Sequence, residues 1–122
     1  METKMTRILL ADDNKSSRSA LALLLETRLG ATIVGEASTM EHLLEQAVIA
    51  HPDVILLDWE LPGKPEADRI VVIRSVAPGA RVVVISARPE SASQAVNADA
   101  VVNKFDTPEH ILAILKERKT TP

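Results

Sequence analysis

At 122 residues and a formal net charge of −3, with its basic residues scattered, the chain has the length of one domain and no electrostatic footprint for direct nucleic-acid binding. Apolar residues make up 46% and charged residues 25%, a globular rather than disordered balance, and the absence of cysteine excludes disulfides and thiolate chemistry. Met1 to Arg7 holds no apolar signal core and no apolar run approaches the ~18 residues of a membrane span, so a single cytoplasmic domain over 1–122, with its core at 7–118, is expected and no membrane partner.

Arg7-Ile-Leu-Leu-Ala11 reads as a first strand, closed by the acidic pair Asp12-Asp13. Ser16 to Leu29 follows as a helix, with Leu21, Leu24, Leu25 and Leu29 at helical spacing and Gly30 just past its end. Ala31 to Ala37 has the composition of a second strand, and Ser38-Thr39-Met40-Glu41 reads as a capping box. The helix it opens takes its buried face from Leu43, Leu44, Ala47 and Val48 and stops at His51-Pro52, because a residue before proline avoids the α region.

Val54 to Leu57 is an unbroken apolar run ending on Asp58, as expected of a strand covered on both faces. Leu61-Pro62-Gly63 turns the chain, and a third helix is predicted from about Glu66 to Val76. Arg81 to Ser86 is the strongest strand signal, and it emerges on a hydroxyl. Arg88 to Ala98 is a poor helix former, interrupted by Ser91, Ser93 and Asn97. Ala100 to Asn103 is a short fifth strand followed by Lys104, and Thr107-Pro108 opens a last helix through Ile111, Leu112, Ile114 and Leu115.

Strands alternating with helices imply an α/β fold, a doubly wound five-stranded parallel sheet of (βα)5 type. No G-x-G-x-x-G or Walker A string follows a strand, so a glycine-loop nucleotide site is not expected. The strand order 2-1-3-4-5 then sets strands 1 and 3 side by side and brings Asp12, Asp13 and Asp58 to one spot, with Ser86 beside them and Lys104 a little further off. Three acids held together have raised pKa values unless a cation sits among them, and a hard oxygen-seeking ion, Mg2+ above all, relieves the repulsion. Such an ion usually shares its sphere with a phosphate, whose remaining oxygens Ser86 and Lys104 would take, with Asp58 as the nucleophile. Each residue alone has a plainer reading: Asp13 as a helix cap, Ser86 as a loop hydroxyl, Lys104 as a solvated lysine. Their appearance at successive strand ends is what that reading leaves unexplained.

These strings, Leu9-Leu10-Ala11-Asp12-Asp13 and Asp58-x-x-Leu61-Pro62-Gly63 with Ser86 and Lys104, resemble those of the bacterial response regulator receiver domains over essentially residues 7 to 118. The resemblance implies that Asp12 and Asp13 help bind Mg2+, that Asp58 accepts a phosphoryl group from a histidine kinase or phosphotransfer protein, and that Ser86 and Lys104 contact the phosphate. It also implies a backbone carbonyl ligand to Mg2+ at Glu60, and an output domain or a second copy of the chain as partner.

Three departures stand out. Val101 occupies the position where the family usually carries a switching Tyr or Phe, and Phe105 replaces a proline common after the lysine, so a trans bond is expected there. The Ser86-to-Lys104 spacing is short by about one helical turn, which predicts a trimmed or irregular fourth helix. Two other functions compete with the phosphoacceptor: an interaction module that works without phosphorylation, and a Mg2+-dependent phosphatase with Glu60 as general acid. An enzyme acting on an external substrate is not expected.

Overall fold

The computed structural model describes residues 6–63, 66–88, 95 and 97–117. Five strands, β1 (Arg7–Ala11), β2 (Thr32–Ala37), β3 (Val54–Asp58), β4 (Arg81–Ser86) and β5 (Ala100–Asn103), form one sheet in the order β2-β1-β3-β4-β5. Every pairing is parallel, and β3 is held by β1 on one side and β4 on the other. The α/β class and the strand order are those expected from the sequence.

The helices are α1 (Lys15–Leu24), α2 (Met40–Ala50), α3 (Glu66–Val76) and α4 (Pro108–Lys116). The fourth helix expected between β4 and β5 falls largely on residues outside the described ones. Because neighbouring strand residues face opposite ways, each strand feeds two cores. Leu9, Ile55, Leu57, Val82 and Val84 pack with Leu43, Ala47, Ile70 and Ile73 of α2 and α3. Ile8, Leu10, Leu56, Val83 and Ile85 pack with Leu25 and with Ile111, Leu112 and Leu115 of α4. Burial on both faces is why β3 reads as an unbroken apolar run.

Local departures from the expected helices have physical causes. The first helix does not run uniformly to Leu29: after Leu24 it widens into a π-helical turn over Leu25–Leu29, which ends at Gly30 with φ +69°. The N-cap of α2 is Thr39, whose side chain accepts from the His42 amide, so the capping box expected at Ser38 is not formed and the helix starts one residue later. Val48 is 53% exposed rather than part of the buried face of α2, whose inward stripe is Met40, Leu43, Ala47 and Ala50. At the far end of the helix His51 takes a left-handed conformation ahead of Pro52. Thr107 caps α4 with Pro108 in its first turn, as predicted, and the described residues contain no cis peptide bond. No described helix is long and apolar enough to cross a membrane.

Candidate functional site

The site forms at the carboxyl edge of β1, β3, β4 and β5. β1 ends at Ala11, and Asp12 is fixed just beyond it by three bonds. Its amide donates to the Ala37 carbonyl at 2.9 Å, its Oδ1 accepts from the Asn14 amide at 2.9 Å, and its carbonyl accepts from Arg18 Nη1 at 2.7 Å. Asn14, not Asp13, caps α1 by accepting from the Ser17 amide. The exposed Asp13 carboxylate is therefore not spent on the helix.

Asp58 is the last residue of β3 and only 4% exposed. The chain turns tightly around it: the Glu60 amide donates to Asp58 Oδ1 at 3.0 Å, the Leu61 amide to the Asp58 carbonyl at 3.0 Å, and the Trp59 amide crosses to the Ile85 carbonyl at 2.8 Å. Gly63 closes this loop at φ +133°, where a Cβ would stand 2.6 Å from Met40 Cβ, so a larger residue would push α2 and the loop apart. Although buried, the carboxylate lines a cleft of about 350 Å3 between α1 and α4, shared with Asp12, Lys104 and Phe105, and is reachable from outside.

β4 and β5 bring the remaining groups. The Lys104 amide donates to the Ser86 carbonyl at 2.8 Å, and its ammonium lies 3.4 Å from Asp58 Oδ2 and 3.6 Å from Asp12 Oδ2. The fully buried Ser86 hydroxyl accepts from the Arg88 amide at 3.0 Å and sits 2.9 Å from the Arg88 carbonyl and 3.3 Å from Glu60 Oε1. All the residues singled out from sequence thus meet at one edge: Asp12, Asp13, Asp58, Glu60, Ser86 and Lys104.

Oxygens of Asp12, Asp13 and Asp58 lie within 4.8 Å of one another. Burial pushes the pKa of Asp12 up, and the neighbouring Asp58 charge adds to the rise against the pull of Lys104. Burial, together with the Glu60 side chain, likewise raises Asp58. Burial works against the Lys104 charge, but the Asp58 and Asp12 carboxylates outweigh it, so its pKa rises and the ammonium persists at neutral pH. One ammonium among three carboxylates leaves surplus negative charge. An all-oxygen donor set of this kind fits a hard divalent cation of the Mg2+ class.

The raised values carry a sign. An acid whose pKa is higher in the folded state binds more protons folded than unfolded, so stability is lost as pH rises from the ordinary carboxylate range through the folded values of Asp12 and Asp58. Asp58→Asn removes one of these charges and should stabilise the metal-free protein at neutral pH by about 1 kcal/mol, a few degrees in Tm. The gain should shrink at low pH. Melting curves of wild type and variant from pH 4 to 8 without divalent ions check both points; equal or lower stability of the variant at pH 7 contradicts them.

The family model described as "Response regulator receiver domain" matches residues 8–118. The chain belongs to this family. It is 33% identical over 114 residues to the nitrate/nitrite response regulator protein NarL of Escherichia coli, covering 90% of this chain and 53% of that protein. It is 30% identical over 118 residues to the sensory transduction protein LytT of Bacillus cereus, covering 94% of this chain and 48% of that protein. The receiver thus spans about half the length of these relatives. Its fold matches the signal receiver domain of the Mycobacterium tuberculosis response regulator NarL with TM-score 0.82 at 29% identity, over 93% and 94% of the two chains. A response regulator from Burkholderia pseudomallei, solved with a phosphorylated aspartic acid and a calcium ion, matches with TM-score 0.77 at 28% identity, over 91% of this chain and 66% of that one. The receiver is thereby a domain of two-component signal transduction.

Two arginines at the site were not singled out by the sequence reading. Arg18 bridges the Asp12 carbonyl to Glu36 of β2, with Nε 2.8 Å from Glu36 Oε1. Arg69, 6% exposed, reaches from α3 to the loop after Asp58. Arg69 could have been found, because it shares the core-facing stripe of α3 with Ile70 and Ile73, where a cation needs acceptors. Arg18 left no such signal.

Proposed function

We propose that this receiver accepts a phosphoryl group on Asp58 from a histidine kinase or phosphotransfer protein, with Mg2+ as cofactor, and passes the change to an output domain or partner. The observation that carries the reading is Asp58 itself: a buried but reachable carboxylate at a strand end, with Asp12 and Asp13 on one side and the Lys104 ammonium at 3.4 Å. Asp12, Asp13, Asp58 and the Glu60 backbone carbonyl would hold the metal. Bound there, it offsets the charge of the carboxylates and of the incoming phosphoryl oxygens.

In the transfer, an Asp58 carboxylate oxygen attacks phosphorus, a new O–P bond forms, and the bond from phosphorus to the donor breaks. The donor, an imidazole or a carboxylate, leaves with the electron pair. Lys104 turns from the two carboxylates toward the new phosphoryl oxygens, and the Ser86 hydroxyl exchanges its Arg88 and Glu60 partners for one of them. Later hydrolysis of the acyl phosphate restores the carboxylate and releases inorganic phosphate.

The test needs only the protein and a small donor. Incubated with Mg2+ and acetyl phosphate, the wild type should gain one phosphoryl mass, and the gain should vanish when the metal is chelated. No mass change at saturating donor and Mg2+ overturns the reading and favours a module that binds its partner without phosphorylation.

A further inference from the structure

Of the backbone polar groups from Trp59 to Pro62, nearly all have partners. The three amides are bonded as described above, and the Pro62 carbonyl accepts from the Met40 amide at 2.9 Å. The Trp59 and Leu61 carbonyls accept from Nη1 and Nη2 of Arg69 respectively. Between them lies the carbonyl of Glu60, to which no group among the described residues donates. Glu60 is exposed, so its carbonyl is left open to water or to a ligand at the site.

Arg69 is what divides the carbonyls in this way. Its side chain rises from α3 with only 6% exposure, and its Cζ stands 5.6 Å from the centroid of the Trp59 ring. The planar guanidinium presents several N–H groups in a fixed fork, and here two of its nitrogens grip the peptide units on either side of Glu60. The cation–π contact with the buried indole adds to this anchoring. A lysine ammonium has no planar fork to hold the two carbonyls in this fixed arrangement.

We infer that Arg69 is the positioning residue for divalent-metal binding, a clamp that takes the Trp59 and Leu61 carbonyls into α3 and leaves the Glu60 carbonyl for the cation held by Asp12, Asp13 and Asp58. The inference rests on the metal reading given above. Arg69 does not touch the metal; it acts through the backbone of the loop. Loss of such an outer partner lowers metal affinity by about 10–100-fold.

The full chain is titrated with Mg2+ by calorimetry as wild type, Arg69→Met and Arg69→Lys, and each metal-free protein is also melted. In Arg69→Met the Kd for Mg2+ should rise by at least tenfold, while phosphorylation at saturating Mg2+ still goes to completion. Arg69→Lys should fall between the two. A purely structural clamp would lower the melting temperature and leave Kd within twofold of wild type, which overturns the inference. Should Arg69→Met not fold, Arg69→Lys decides alone: wild-type affinity in that variant overturns it, and a clear loss supports it. Wild type that binds no Mg2+ defeats the metal reading itself, a failure visible before any variant is compared.

Discussion

Asp13→Ala should raise the Mg2+ concentration for half-maximal phosphorylation of Asp58 by about 100-fold while leaving the fold intact. The two halves of this expectation have separate grounds. Asp13 is exposed, and helix capping at this end falls to Asn14, so its truncation removes no core contact and no cap. Its carboxylate nevertheless belongs to the group of three whose oxygens lie within 4.8 Å of one another, and it is the exposed member of that group. Taking away one of three carboxylates from a hard-ion site should cost at least the 10–100-fold that loss of an outer partner does. Phosphorylation at graded Mg2+ measures the shift directly, and a circular dichroism melt confirms the fold. An unchanged Mg2+ requirement would remove Asp13 from the metal site.

The second large effect concerns Lys104. Its ammonium is the positive group within 4 Å of both Asp12 and Asp58, and its side chain is 28% exposed. Lys104→Met keeps the length of the stem but leaves two buried carboxylates facing each other. Breaking a buried ion pair costs about 3–5 kcal/mol, and partial exposure reduces this to about 1–3 kcal/mol here. The loss should be largest without divalent ions and should be mostly recovered on adding Mg2+, since the metal brings its own positive charge to the same carboxylates. Asp58→Asn should shift stability the other way, so the two variants together separate charge balance from packing. Phosphorylated Lys104→Met should also lack most of the chemical-shift changes that the wild type shows around Ser86 and Phe105. Denaturant unfolding with and without Mg2+ tests the first point, and amide spectra before and after phosphorylation test the second.

Much of the fold was legible because a parallel sheet covered on both faces leaves a plain mark in sequence. Val54 to Leu57 and Val82 to Ile85 read as strands since all their residues, inward to either core, had to be apolar or β-branched, and each run was closed by a polar residue that then lay at the sheet edge. The convergence of Asp12, Asp58, Ser86 and Lys104 followed from strand order alone. Finer features were not legible. The π-helical turn at Leu25–Leu29 keeps the same leucine spacing as an ordinary helix would, so periodicity does not reveal it. Ser38 is the better cap by residue type, yet Thr39 caps the helix while the Met40 amide bonds to the Pro62 carbonyl across the loop. Val48 and Val71 look like core residues by hydropathy but face outward. Arg69 was legible only as an anomaly, a charge on the buried stripe of α3, because its acceptors, the Trp59 and Leu61 carbonyls, lie on a loop whose path periodicity does not give.

Val101, at the usual aromatic position, lies on β5 with 46% exposure, whereas Phe105 is 81% exposed on the rim of the cleft that Asp58 lines. Phe105 directly follows Lys104, so a movement of the lysine toward a phosphoryl group on Asp58 would carry to Phe105 through one peptide bond. The chemical-shift comparison proposed for Lys104→Met therefore reads this aromatic as well.

Chemical trapping identifies the acceptor residue itself. Borohydride reduces an acyl phosphate to the alcohol, so a phosphorylated aspartate becomes homoserine, whereas an unmodified carboxylate does not react. Protein incubated with acetyl phosphate and Mg2+, reduced, and sequenced by peptide mass spectrometry should carry homoserine at position 58, with Asp12 and Asp13 unchanged. Homoserine at 12 or 13, or an unmodified Asp58 after saturating donor and Mg2+, would contradict the assignment of Asp58 as the phosphoacceptor.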